Sequence, residues 1–240
     1  MKKIFLYTAV AMITLSACRK DDENTVETVD IQTQNAYDDE AIVKFLDQYY
    51  FDQEGNIKQF SSSDDSDDLY PKLSSYSPVK LPSGVTYIVR PGAQPAAGKT
   101  IGATDAIKLM GSSTSYIARK TDGIVAFNNG VTFRNTITGS GVPENDPYYY
   151  YAKKSVRNTY EKERSFFEIE GFREALVNFK SFEIPDSDNY NLQGVIIVPS
   201  RAAYARDENV NDAQAVKFTD RSFVFNFQVY KTSERPASEL

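Results

Sequence analysis

Residues 169–180 read IEGFREALVNFK, and this stretch decides the fold class because it is the clearest helix in the second half of the chain. Phe172, Ala175, Leu176 and Phe179 fall at positions i, i+3, i+4 and i+7, so the four apolar side chains share one helix face. An amphipathic helix of this kind needs an apolar surface to cover. The segments before and after it along the chain predict the strands of a sheet.

Two strands are predicted after this helix. Residues 194–204 read GVIIVPSRAAY, and the continuous apolar run at 195–198 is typical of a strand buried on both faces. In residues 222–230, SFVFNFQVY, apolar side chains recur at every second position and share one face. These side chains are Phe223, Phe225, Phe227 and Val229.

Strand signals also precede the helix. Apolar residues alternate in residues 85–89, and residues 107–109 begin another extended segment. Residues 115–118 and 123–127 flank the turn at 120–123, as in a β-hairpin. The order of these elements predicts an α+β fold in which an antiparallel sheet packs on one helix.

The remaining organisation is read from composition. Asp38 and Asp39 are expected to cap the helix of an N-terminal extension, because an apolar stripe follows them. The stripe consists of Ile42, Phe45, Leu46 and Tyr49. The predicted divisions are a signal peptide at 1–17, an acidic tether at 18–37, a helical extension and linker at 38–75, and a core domain at 76–235 with an irregular insertion at about 131–163.

Composition excludes several kinds of chemistry. The chain contains no His and one Cys, which excludes His-dependent hydrolases, His-ligated metals and an internal disulfide. Its formal net charge of -6 argues against a nucleic-acid partner. Hydrophobic residues make up 41% of the chain, enough for a substantial core. The sequence therefore predicts a folded domain with no cofactor, no metal and no bound nucleic acid.

The N-terminus predicts export and a lipid anchor. Lys2 and Lys3 precede a nearly continuous apolar run at 4–15, which is too short to span a membrane and fits a signal peptide. Small residues then precede Cys18, which resembles a bacterial lipobox and implies membrane attachment through a lipidated Cys18. Residues 19–23, RKDDE, resemble the surface-export signal of Bacteroidetes lipoproteins. We therefore expect an outer-membrane lipoprotein on the cell surface, with a periplasm-facing location as the alternative.

The order of motifs from about residue 80 to residue 232 resembles the FKBP family of peptidyl-prolyl isomerases. The family's Ile-x-Gly-Trp helix start resembles residues 169–172, and its strand ending in Pro-x-x-x-Ala-Tyr resembles residues 195–204. Its closing Phe-Asp-Val strand resembles residues 225–227. Upstream, residues 83–87 resemble the family's first strand, and residues 116–127 resemble its Tyr, turn-Gly and Phe-Asp elements.

The resemblance implies an FKBP-like sheet wrapped on one helix, with a catalytic pocket of aromatic side chains and one backbone donor. The chain departs from the family at Asn128, which replaces an Asp, and at Ala205, which replaces the Gly after the pocket Tyr. It also carries the long insertion before the helix. The implied site residues are Tyr116, Phe127, Ile169, Phe172, Tyr204 and Phe225.

Two functions follow from the resemblance. The first is a membrane-anchored peptidyl-prolyl isomerase or foldase that binds proline-containing segments of exported proteins. Rotation about a prolyl bond has a barrier of about 18–20 kcal/mol from amide resonance, and lowering it requires neither His nor metal. The alternative is a catalytically inactive FKBP-fold binding module on the cell surface. The Tyr run at 148–151 then forms either a contact surface or a loop packed on its own domain.

Overall fold

The computed structural model describes residues 28–207 and 216–240. The predicted signal peptide, Cys18 and the export signal lie outside these residues. A chain that begins after Cys18 contains all of these described residues. The α-helices among the described residues are α1 (Ile31–Gln48), α2 (Lys154–Tyr160) and α3 (Glu170–Leu176).

A seven-stranded antiparallel sheet forms the centre of the fold, with two short two-stranded sheets beside it. The large sheet has the order β3-β4-β10-β11-β6-β7, and β8 also pairs with β6. The strands are β1 (Tyr49–Phe51), β2 (Ile57–Gln59), β3 (Val79–Lys80), β4 (Thr86–Val89), β5 (Lys99–Thr100), β6 (Ala106–Thr121), β7 (Ile124–Asn135), β8 (Glu144–Asn145), β9 (Lys180–Ser181), β10 (Gly194–Val198) and β11 (Arg221–Ser233). The predicted α+β class is confirmed.

One face of the sheet packs on α3. Phe172 of the helix contacts Phe225 and Phe227 of β11, with ring centroids 4.3 and 5.7 Å apart. Alternation along β11 places its three Phe residues and Val229 in this core, as predicted. Gly171 allows the helix to come close, because a Cβ there would lie 2.6 Å from Val85 and 2.7 Å from Val198. The Gly at this position is therefore required by packing.

The other face of the sheet packs on α1. Ile42, Phe45 and Leu46 are buried against a second apolar core that includes Val195 and Ile197 of β10. The run at 195–198 is thus buried on both faces, as its composition predicts. About 25 cal/mol is gained per Å² of apolar surface removed from water, so covering this face stabilises α1 far more than its own propensity does.

The structure corrects the predicted boundaries. Helix α1 begins at Ile31, so the predicted tether at 18–37 is too long. Asp30 caps the helix by accepting a hydrogen bond from the Thr33 backbone N–H at 3.0 Å, so the predicted cap at Asp38 and Asp39 is wrong.

Two further predicted segments contain regular structure. The extension at 38–75 also includes the β1–β2 hairpin. The predicted insertion at 131–163 is not irregular throughout, because β7 continues to Asn135 and both β8 and α2 follow.

Asp38 joins α1 to the end of β10. Its carboxylate is fully buried and accepts hydrogen bonds from the Ser200 backbone N–H at 2.8 Å and from the Ser200 hydroxyl at 2.5 Å. Burial raises the pKa of the Asp38 carboxyl, while the bonds from Ser200 act in the opposite direction. The contact fixes α1 relative to the loop that carries Tyr204.

Candidate functional site

Four of the six predicted site residues converge between α3 and the sheet. Ile169 is the N-cap residue of α3, Phe172 lies in its first turns, Tyr204 follows β10, and Phe225 lies in the middle of β11. All four are buried, and the most exposed, Tyr204, has 5% of its surface accessible. The structure therefore brings these four residues together in one region, and their role in a pocket stays a prediction.

Tyr149 fills the space between these four residues. Its ring is 2% exposed and stacks on Phe225 with centroids 5.7 Å apart, and it lies 5.9 Å from Phe172. The strand opposite β11 provides room for this ring, because Ser113 is the residue paired with Phe225. The small Ser113 side chain on β6 leaves space beside Phe225, and the large Tyr149 ring from the insertion packs there.

Two polar groups of the site, the Ile169 backbone N–H and the Tyr204 hydroxyl, have hydrogen-bond partners within the chain. The Ile169 backbone N–H, which the resemblance assigns to the substrate, donates to the Tyr149 carbonyl at 2.7 Å. The Tyr204 hydroxyl donates to the Phe167 carbonyl at 2.8 Å. Burial raises the pKa of Tyr204 well above its usual range, so the hydroxyl remains a neutral donor. The backbone donor that the resemblance assigns to a bound prolyl segment is therefore engaged, and so is the Tyr204 hydroxyl.

The segment that carries Tyr149 is held firmly on both sides. We call residues 146–152 the closing segment. The Tyr150 hydroxyl donates to the Gly102 carbonyl at 3.2 Å, and the Ala152 backbone N–H donates to the Glu168 carboxylate at 2.9 Å. The Tyr151 ring lies between two guanidinium groups, 4.4 Å from Arg164 and 3.9 Å from Arg235.

Glu168 anchors the closing segment to α3. Its side chain is 1% exposed and pairs with Arg164 at 2.8 Å and with Arg173 at 2.5 Å. A buried carboxylate with two cationic partners and one backbone N–H has its charge compensated and its oxygens hydrogen-bonded. On the other side, Asp146 pairs with Arg235. The closing segment is consequently part of the core of the domain.

Tyr116 and Phe127 do not join the site. Their rings stack on each other with centroids 5.3 Å apart, and both contact Phe45 of α1 on the opposite face of the sheet. Alternation explains the placement of Tyr116, because its neighbour Ser115 pairs with Phe223 on the α3 side. Burial raises the pKa of Tyr116 to about 12. The two residues are half-buried and pack against the core beneath α1, and the prediction that placed them in the pocket is wrong.

The two departures from the family pattern have clear structural positions. The Asn128 amide donates to the Ala126 carbonyl of its own strand at 3.0 Å and contributes no charge. Ala205 adopts φ of 49°, in the left-handed region that favours glycine. The backbone here therefore has a conformation that Gly adopts more easily than Ala does.

The sequence indicated Tyr149 only through the run of four Tyr residues, for which a loop packed on its own domain was one of the two expectations. Phe133 of β7 carried no signal. Its ring lies 5.2 Å from Tyr149 and 5.1 Å from Phe223, so it closes the same region from the sheet side. Both residues are site residues that the motifs alone did not reveal.

The described parts of the chain contain neither a metal-binding cluster nor a membrane-spanning helix. Residues 28–207 and 216–240 contain no group of three or more His, Cys, Asp or Glu side chains that could hold a metal ion. Within the same ranges, no helix has the length and apolar character needed to cross a membrane.

Comparisons with known proteins identify structural relatives only. No protein-family model matches the chain, and no curated protein matches it. Among solved structures, FkpA from Escherichia coli is 17% identical, with 66% of this chain and 53% of that chain covered and a TM-score of 0.37. The chain thus spans about half the length of FkpA.

Two further solved structures are similar to the chain. A peptidyl-prolyl cis-trans isomerase from Pseudomonas syringae is 14% identical, covering 65% of this chain and 81% of that one, with a TM-score of 0.33. The N-terminal domain of FKBP42 from Arabidopsis thaliana is 10% identical, covering 66% and 93%, with a TM-score of 0.38. Likenesses at this level carry no argument about activity.

Proposed function

We propose that this chain is a lipid-anchored, FKBP-like binding module whose prolyl pocket is closed by its own insertion. The observation that carries the proposal is the hydrogen bond from the Ile169 N–H to the Tyr149 carbonyl. The resemblance assigns this donor to the substrate carbonyl. Here the Tyr149 carbonyl of the closing segment accepts the hydrogen bond that a substrate carbonyl would accept.

Steric occupancy supports the same conclusion. A cavity of about 10 Å³ lies beside Tyr149 and Phe225, and Ile169, Phe172 and Tyr204 do not line it. Such a volume holds about one water molecule and has no room for a prolyl ring. Isomerisation requires the prolyl amide to be held twisted in a dry apolar pocket, and here the Tyr149 ring already packs on Phe172 and Phe225.

The anchoring part of the proposal rests on the sequence. The basic residues, short apolar run and lipobox-like residues before Cys18 support attachment through a lipidated Cys18. The export-signal resemblance of residues 19–23 supports presentation at the cell surface. The exposed side chains of the insertion are then the surface that contacts a partner. Tyr148 and Tyr160 are 38% and 64% exposed there, and Tyr combines contact area with a polar tip.

A protease-coupled assay with a prolyl tetrapeptide tests the proposal on residues 19–240. We expect the cis-to-trans rate to equal the uncatalysed rate at every protein concentration. A rate that rises with protein concentration, and that Phe172→Ala abolishes while the exposed control Tyr160→Ala does not, would instead establish the isomerase. Circular dichroism of each variant separates loss of activity from loss of fold.

A further inference from the structure

A second cavity lies at the end of the sheet beside the start of α1, and none of the residues of the closed pocket lines it. It has a volume of about 680 Å³ and lies between the start of α1, the outer end of β6 and the chain entering β11. Val29, Ile117 and Val216 contribute apolar walls. The volume falls within the range of roughly 300–1,000 Å³ that is usual for small-molecule sites.

The lining of this cavity is cationic although the chain as a whole is acidic. Among the described residues that line it, four side chains are cationic and one is a carboxylate, and the formal net charge of the chain is -6. The carboxylate, Asp220, pairs with Arg206 at 3.0 Å. One cation, Arg221, is held by the Ser115 and Asn129 carbonyls. The other cations are Arg119, Lys120 and Lys217.

Arg119 supplies the decisive observation. Its Nε and Nη2 atoms are buried and have no hydrogen-bond partner among the described residues, and the same holds for the Thr219 hydroxyl. Leaving a buried donor unpaired costs about 1–3 kcal/mol, and more for a charged group, so such donors usually indicate an absent ion, water or ligand. Nε and Nη2 form the side edge of the guanidinium, which binds a carboxylate or phosphate through two parallel hydrogen bonds.

We infer that this cavity binds a small amphiphilic anion, with its carboxylate or phosphate head at Arg119 and its apolar body against Val29, Ile117 and Val216. The charge of the lining selects the head group, and the apolar walls select the body. The site is separate from the closed prolyl pocket, because none of the residues that form that pocket lines this cavity.

Isothermal titration of residues 19–240 with decanoate and with decyl phosphate tests the inference, and inorganic phosphate serves as the head group alone. We expect at least one amphiphile to bind with a Kd of about 100 µM or tighter, and the tighter of the two identifies the head group. Inorganic phosphate should bind at least about tenfold more weakly. Failure of both amphiphiles to bind, or equal binding of inorganic phosphate, would overturn the inference.

Variants locate the bound anion. Arg119→Gln should weaken binding about tenfold or more, and Thr219→Val should weaken it a few-fold, because each removes a donor to the head group. Lys154→Gln, an exposed cation on α2, is the matched control and should bind as the wild type does. If Arg119→Gln does not fold, the exposed Lys217→Gln replaces it with the same expectation. Unchanged affinity in the folded cavity variants would contradict the assignment.

Discussion

Replacing Tyr149 by Ala measures how strongly the closing segment fills the pocket. The ring is 2% exposed and lies within 6 Å of the Phe133, Phe172 and Phe225 rings. Removing a buried aromatic ring costs about 3–5 kcal/mol through lost transfer energy and the cavity left behind. For a domain of this size, that loss corresponds to a fall in Tm of roughly 6–20 °C.

Tyr148→Ala is the matched control, because Tyr148 is the adjacent residue, has the same side chain and is 38% exposed. We expect it to cost about 1 kcal/mol or less. Thermal and urea unfolding, followed by circular dichroism, give both values. The difference between the two variants isolates the contribution of the buried ring from any general disturbance of the segment.

Chemical rescue then tests whether the vacated space is a defined pocket. p-Cresol reproduces the Tyr side chain, and a ligand that binds only the folded state at ten times its Kd stabilises it by about 1.4 kcal/mol. We expect p-cresol to raise the Tm of Tyr149→Ala and to leave the wild type and Tyr148→Ala unchanged. Equal costs for the two variants, together with no rescue, would refute the conclusion that Tyr149 fills the pocket.

Three further predictions concern other parts of the chain. Burial raises the pKa of Asp38, so ionisation opposes folding, and the wild type should lose stability relative to Asp38→Asn as the pH rises through and above 3.8. A stability difference in urea that does not change between about pH 3 and pH 7 would contradict this. Ala205→Gly should stabilise by up to about 1 kcal/mol because φ at Ala205 is 49°, whereas Ala41→Gly, inside helix α1, should destabilise by about 0.5–1 kcal/mol or more. Cys18→Ser should move the protein from the membrane fraction to the soluble fraction, and unchanged fractionation would argue against lipid attachment.

The parts of the fold that the sequence revealed are those in which one buried face repeats regularly. Helix α3 and strand β11 present their apolar residues at spacings of 3.6 and 2, so pattern alone identified both. The predicted helix at 169–180 was too long, because α3 ends at Leu176, Phe179 lies beyond it and Lys180 begins β9. The sequence pattern predicted only the second half of helix α1, because the first residues of this helix are mostly polar. Gln34 is 5% exposed there, and its amide donates to the Ala118 carbonyl at 3.2 Å. A tertiary contact of this kind stabilises a helix start that has no apolar pattern.

The misplacement of Phe127 has a specific cause. Between the pairs Ser115–Val131 and Ile117–Asn128, β7 contains one residue more than β6. This bulge includes Asn129, whose φ is 51°. An extra residue moves every later side chain to the other face, and residue types alone do not show where a bulge falls. A motif match that is correct along the chain can therefore assign a side chain to the wrong face.

The closed pocket limits which ligands could ever open it. An entering prolyl segment must replace the Tyr149 carbonyl at the Ile169 N–H and also displace the Tyr149 ring, whose burial is worth about 3–5 kcal/mol. If opening costs about 4 kcal/mol, roughly one molecule in 10³ is open, and a peptide with an intrinsic Kd of about 1 µM would show an apparent Kd near 1 mM.

The other contacts of the closing segment raise this cost. Withdrawal of the segment would also leave the Ala152 N–H without Glu168 and remove Tyr151 from between Arg164 and Arg235. A prolyl segment that entered the pocket would have to supply all of this energy from its own contacts. A partner of this protein is therefore expected to bind an exposed surface, where no core contact has to be broken first.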